Sequence, residues 1–97
     1  MKYPLVSKEA VHRGAVLLDK ERPAWAYRID TVKLDMRSCS LCILGQLDGD
    51  YSVGLVRLRI PDAGVCGFAL TSWPTSGAWY RLKRLWLAEI RSRLKQE

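Results

Sequence analysis

No apolar run in this chain approaches the roughly 20 residues that a bilayer-crossing helix needs. The longest, such as Ala15–Leu18 and Leu41–Leu44, are a few residues each, so no membrane partner is expected. The stretch from Met1 to Val6 carries Lys2 and lacks the apolar centre of a secretion signal, which predicts a cytoplasmic setting. The common catalytic signatures are missing too. Neither GxxxxGK[ST] nor GxGxxG occurs, which removes the nucleotide cradles, and no serine sits in a GxSxG elbow. His12 is the sole histidine, so any histidine-based triad would have to be built on it. It falls at the edge of an apolar helical face beside Val16 and Asp19, where a half-exposed histidine near a carboxylate is commonplace. The cysteines number three; they cannot all pair within one chain, and free thiols in a reducing compartment are expected.

The composition that remains is that of an ordinary globular domain. Of 97 residues, 48% are apolar and 27% charged, with only 4 Pro and 7 Gly. That is enough apolar surface for one core over 1–97 and too little for two. The net charge of +6 is large for 11.1 kDa and points to an anionic partner. It is unevenly spread: residues 76–97 hold Arg81, Lys83, Arg84, Arg91, Arg93 and Lys95 against Glu89 and Glu97.

Ser7 is placed to cap a helix running to about Glu21, in which Val11, Ala15 and Leu18 fall at i, i+4 and i+7 and Ala10, Gly14 and Leu17 widen the same face. Pro23 ends it. Residues 22–38 mix Trp25, Tyr27, Ile29, Leu34 and Met36 with charges in no sustained period, which predicts a short helical turn and then a packed connection. Ser38 or Asp35 is placed to cap a second helix over Cys39–Leu47, too apolar for the surface and ended by Asp48, Gly49 and Asp50. Residues 51–60 fit two periods. Tyr51, Leu55 and Leu58 suit a helix, whereas Val56, Leu58 and Ile60 alternating with Arg57 and Arg59 suit a strand. Pro61–Gly64 would then turn into a second strand.

The last element reads most clearly. Ser76 is placed to cap a helix from about Ala78 to Lys95, whose apolar set (Trp79, Leu82, Leu85, Trp86, Leu87, Ile90 and Leu94) covers about 200° of arc at 100° per residue. One packing face needs less, so the helix either lies across two elements or meets a partner chain, with a homodimer as one outcome. Arg81, Arg84, Arg91 and Lys95 line the opposite side, interrupted only by Ala88. The expected fold is mainly α, a small single-domain helical fold of about four helices with a long amphipathic C-terminal helix. The alternative is α+β with a hairpin over residues 55–70.

RGAVLLDKERPAWAYRID at 13–30, LDM at 34–36, CSLCILGQLDGDY at 39–51, GF at 67–68 and the final helix with Trp86, Glu89 and Ile90 together resemble a group of small proteins of actinobacteria and their bacteriophages. The resemblance covers about Arg13 to Ile90, and CILGQL followed by Gly49 and Tyr51 is its most specific part. It implies a phage or prophage accessory protein, largely helical through 51–60, and brings no catalytic residues with it. Pro61 and Gly64 depart from the group's pattern and keep the hairpin open.

Cys39 and Cys42 form a CxxC, a spacing from which two thiolates can reach one ion. Cys66 and His12 would have to complete a zinc site, and that order matches no common zinc module. The simpler reading is small buried apolar residues. A lowered thiol pKa at a helix start would suit redox chemistry, although no strand precedes the pair. Asp30, Asp35, Asp48 and Asp50 lack calcium-loop spacing and read as caps and turn residues. Of the tryptophans, Trp79 and Trp86 fall on the inner helical face, while Trp73, in a loop before Pro74, reads as an exposed anchor of the kind found in protein interfaces.

The candidate binding residues are therefore Arg81, Arg84, Arg91, Lys95 and Trp73, with no catalytic set and no enzyme expected. Cations at one-turn intervals can follow a polyanion. The competing view is an ordinary solvated face, favoured near a helix C-terminus by the helix dipole. Arg57 and Arg59 would extend the basic surface if they lay alongside it. The expected function is a phage-type accessory protein that binds and modulates a host protein without catalysis, including by blocking a nucleic-acid-binding surface. The alternatives are a DNA- or RNA-binding regulator using the same helix, and a structural zinc module at Cys39 and Cys42.

Overall fold

The computed structural model describes residues 8–60, 67–68 and 76–95. They form five helices: α1 (Lys8–Glu21), α2 (Trp25–Arg28), α3 (Ile43–Asp48), α4 (Tyr51–Leu58) and α5 (Ser76–Leu94). No helix among the described residues is long and apolar enough to cross a membrane.

The first helix follows its apolar spacing. Ala10, Val11, Gly14, Ala15 and Leu18 are all buried. Its end is built by Arg22, whose backbone N–H reaches the Leu18 carbonyl at 2.7 Å, and by Pro23, which has no N–H to continue the ladder. Ala24 then takes a left-handed conformation, φ 63°, at a cost of roughly 1–2 kcal/mol for a residue with a Cβ. That kink turns the chain back so that Trp25 enters the core. The ring is 1% exposed, and its Nε1–H donates to Asp19 Oδ1 at 2.8 Å.

Trp86 of α5 lies at the centre, with its ring edge-on to Trp25 at 5.7 Å and stacked on Phe68 at 5.2 Å. Its Nε1–H donates to the Gly67 carbonyl at 2.7 Å, so the core keeps the ring's one polar group satisfied. Gly67 has φ +72°, and a Cβ there would stand 2.7 Å from Val11 Cα; only glycine lets this backbone lie against α1. Leu18, Leu34, Ile43, Leu44, Leu82 and Ile90 complete the buried set. The last helix packs across α1 and α2, and α3 pairs with α4.

The second predicted helix is shorter at its start than the sequence suggests. It begins at Ile43, and its N-cap is Cys42, whose sulfur accepts from the Gly45 N–H at 3.3 Å. Asp35 and Ser38 spend their side-chain acceptors locally instead: Asp35 Oδ1 takes the Arg37 N–H at 2.9 Å, and Ser38 Oγ takes those of Ser40 and Leu41 at 3.2 and 3.1 Å. Such short-range bonds hold Cys39–Leu41 in turns. The region that fitted both periods is helical. Asp50 caps α4 by accepting from Ser52 N–H at 2.9 Å, and Arg59 closes it in the left-handed conformation. A hairpin with its first arm at 55 does not form, because Leu55–Leu58 belong to α4 and the described residues contain no strand. Of the second arm of that hairpin only Gly67 and Phe68 are described, and neither is strand; the rest of it, with Cys66 and Trp73, lies outside the described residues. With four longer helices and the single turn at Trp25–Arg28, which is the short helical turn expected after Pro23, the described residues give the mainly helical fold that was expected.

Candidate functional site

The last helix divides its cations between two tasks. On the flank against α1, Arg93 is committed to the fold. Its Nε and Nη2 donate to the two carboxylate oxygens of Asp19 at 2.7 and 2.8 Å, and its Nη1 donates to Glu89 Oε1 at 2.7 Å. The guanidinium also lies 5.5 Å from the centre of the Trp25 ring. Glu89 in turn faces His12 Nδ1 at 3.2 Å. A polar chain from His12 through Glu89 and Arg93 to Asp19 and Trp25 thus joins α1, α2 and α5. Hydrogen bonds from Arg93 hold the Asp19 carboxyl below its ordinary pKa, with burial opposing them and the Trp25 N–H adding to the effect.

On the outer face, Arg81, Arg84, Arg91 and Lys95 are exposed. None of them meets a carboxylate among the described residues. At 1.5 Å per residue, the row from Arg81 to Lys95 extends over about 21 Å. Tyr80 is 62% exposed beside it, with the Arg84 guanidinium 5.9 Å from its ring centre. Where the row is interrupted at Ala88, an open recess of about 660 Å³ is bordered by Arg81, Arg84, Leu85, Leu87, Ala88 and Arg91. A second depression, about 370 Å³, adjoins at Tyr80 and is lined by Lys33, Asp35, Arg37 and Lys83 among others. The sequence reading missed Tyr80, Lys33, Arg37 and Lys83, and only Lys83 and Tyr80 share the helix that would have drawn attention to them.

Most of the wide apolar arc of this helix packs within the chain, and Leu94, at 37% exposure, stays at the surface. Leu82, Trp86 and Ile90 are buried, while Trp79, Leu85 and Leu87 are half-buried against the core. The helix lies across two elements, as one of the two expectations from its arc required. Arg57 and Arg59 stand on α4 and its C-terminal cap, and Arg57 belongs to the surroundings of Asp48, whose pKa it helps lower.

The CxxC separates into an outward and an inward residue. Cys39 is exposed and Cys42 buried; burial raises the Cys42 thiol's pKa, against the backbone N–H of Gly45. A thiol held protonated is a poorer nucleophile and metal ligand. Among the described residues no three His, Cys, Asp or Glu side chains gather at metal-binding spacing. Three of the four scattered aspartates cap or turn: Asp50 caps α4, Asp35 closes its turn, and Asp30 Oδ1 accepts from Val32 and Lys33 N–H at 3.0 and 3.2 Å. The fourth, Asp48, forms a two-pronged ion pair with Arg22 at 3.0 and 2.9 Å.

Comparison with family models, with curated proteins and with solved structures finds no match to this chain. The motif residues have structural duties of their own. In CILGQL, Cys42 caps α3, and a Cβ on Gly45 would fall 2.6 Å from the Ser40 carbonyl carbon. Gln46 clamps the preceding connection, accepting from Asp30 N–H at 2.6 Å and donating to the Leu41 carbonyl at 2.9 Å. Gly49 ends the helix at φ 91°, and Tyr51 N–H returns to the Cys39 carbonyl at 2.8 Å.

Proposed function

We propose that this is a non-catalytic accessory protein of phage type, working in the cytoplasm of a bacterial host, that docks the cationic face of α5 on an acidic surface of a host protein and so modulates it. The supporting observation is the division of labour on one helix: Arg93 is tied into the fold, while Arg81, Arg84, Arg91 and Lys95 stay exposed with no carboxylate opposite them among the described residues. Guanidinium groups with no carboxylate partner within the described residues retain their capacity for two-pronged carboxylate pairing. Such a face repels the cationic nucleic-acid-binding surface of another protein, so the partner must present negative charge.

A second reading, direct binding of DNA or RNA, is favoured by the depression at Lys33, Arg37 and Lys83, which joins the row at Tyr80; cations interleaved with an exposed aromatic suit a phosphate backbone and a stacked base. Capture from nuclease-treated host lysate, run in parallel with wild type and the Arg81→Glu/Arg84→Glu/Arg91→Glu variant, tests the first reading. A defined protein retained by wild type, released by salt and missing with the variant is expected. Equal retention by both chains overturns it, and capture that disappears on nuclease treatment supports the second reading instead.

A further inference from the structure

The recess on α5 has the geometry of a seat for another helix. Its bordering residues form two overlapping four-residue holes, one of Arg81, Arg84, Leu85 and Ala88 and one of Arg84, Leu87, Ala88 and Arg91. Both follow the i, i+3, i+4, i+7 pattern into which a side chain of a facing helix inserts as a knob. Ala88 belongs to both and is the smallest side chain of the row, so a partner helix could approach to the 8–10 Å at which helices interlock. The half-buried Leu85 and Leu87 give each hole one apolar wall, and the arginines supply its charged rim. The holes are offset by three residues, which matches the three- and four-residue steps between knobs on an amphipathic helix.

We infer that the occupant of this face is an acidic amphipathic helix of the partner protein, with small or aliphatic side chains entering the two holes over Ala88 and Asp or Glu one turn apart pairing with Arg81, Arg84 and Arg91. This inference rests on the acidic-protein reading above and adds the shape of the ligand to its charge. A second copy of this chain is a poor occupant, since its own face would set arginine against arginine. A nucleic acid would leave the leucine walls unused, and the one exposed aromatic of the row, Tyr80, already has a guanidinium over its ring.

The full chain is titrated, at about 50 mM salt, with fluorescein-labelled probes of defined composition. One is a helical peptide of about 18 residues, matched to the length of α5, carrying a leucine and alanine stripe flanked by glutamates. The others are a scrambled peptide of the same composition, poly-glutamate and a single-stranded oligothymidine. The ordered helix should bind at least about tenfold more tightly than its scrambled counterpart, equivalent to about 1.4 kcal/mol. Ala88→Glu fills both holes at an exposed position and should abolish that preference while circular dichroism stays unchanged; Ala88→Gly should keep it. Equal binding of ordered and scrambled peptides overturns the helix inference and leaves the acidic-partner reading standing. Tighter binding of the oligothymidine overturns both in favour of nucleic acid, and no binding of any probe overturns both outright.

Discussion

Asp48 sits in the last turn of α3, where the helix dipole disfavours an anion, and it is held there by Arg22. The Asp48 side chain is 4% exposed and the Arg22 side chain 19%, so neither group has much water to fall back on. Asp48→Asn keeps one acceptor oxygen, removes the charge and leaves the guanidinium unpaired. Breaking a fully buried pair costs about 3–5 kcal/mol; the residual hydration of Arg22 lowers the expectation to about 2–3 kcal/mol. Arg22→Met should be worse, about 3–5 kcal/mol, because it strands the more deeply buried partner. The double variant Arg22→Met/Asp48→Leu should cost less than either single change, since apolar replacement removes both desolvation penalties together. The dependence on pH follows from the same geometry. Hydrogen bonds from Arg22 hold the Asp48 carboxyl below its ordinary pKa, against the effect of burial. A depressed folded pKa means the stabilisation is complete above the unfolded value of about 3.9 and is lost as pH falls through the lower folded value. Urea unfolding followed by tryptophan fluorescence at pH 7 and at about pH 3 measures both effects. Wild type should lose stability between the two, and Asp48→Asn should lose less, the remainder coming from Asp19, whose pKa is lowered in the same direction. An Asp48→Asn variant within about 0.5 kcal/mol of wild type at pH 7, with an unchanged pH slope, would mean that the Arg22–Asp48 pair does not hold α3 in place.

The two roles of arginine on α5 predict opposite outcomes for neighbouring substitutions. Arg93→Met should cost about 2 kcal/mol, because Asp19 and Glu89 lose their shared partner, whereas Arg91→Met should stay within about 0.5 kcal/mol; equal thermal midpoints for the two would contradict the assignment. Cys42→Ala should cost about 1–2 kcal/mol by removing a helix cap and a buried sulfur, and Cys39→Ala, at an exposed position, should be nearly silent. Metal analysis of protein purified without added zinc should find far less than one equivalent, and a value near one, lost in Cys39→Ala, would install the zinc module in place of the structural thiol.

Features that depend on near neighbours were legible in the order of residues alone. Spacing at i, i+4 and i+7 marked the buried face of α1; Pro23 marked its end, and the same periodicity separated the inner and outer faces of α5. These signals are local because one helical turn spans only four residues. The resemblance over residues 51–60 favoured helix where periodicity was indifferent, and a helix forms over Tyr51–Leu58. Tertiary structure decided matters that depend on residues far apart in the chain. The start of α3 moved to Ile43 because Asp35 and Ser38 bond to adjacent turns and Tyr51 N–H reaches back to the Cys39 carbonyl. Arg93 and Arg91 are alike as letters, two positions apart on one helix. The approach of Asp19, 74 residues earlier, makes the first a structural pin, while the second keeps the outward place that its helical position gives it. Helical spacing had already set Arg81, Arg84, Arg91 and Lys95 on the outer side, but pairing of charges is set by distance in space, so only the fold decides that Arg93 is tied to Asp19 and Glu89 while those four meet no carboxylate among the described residues.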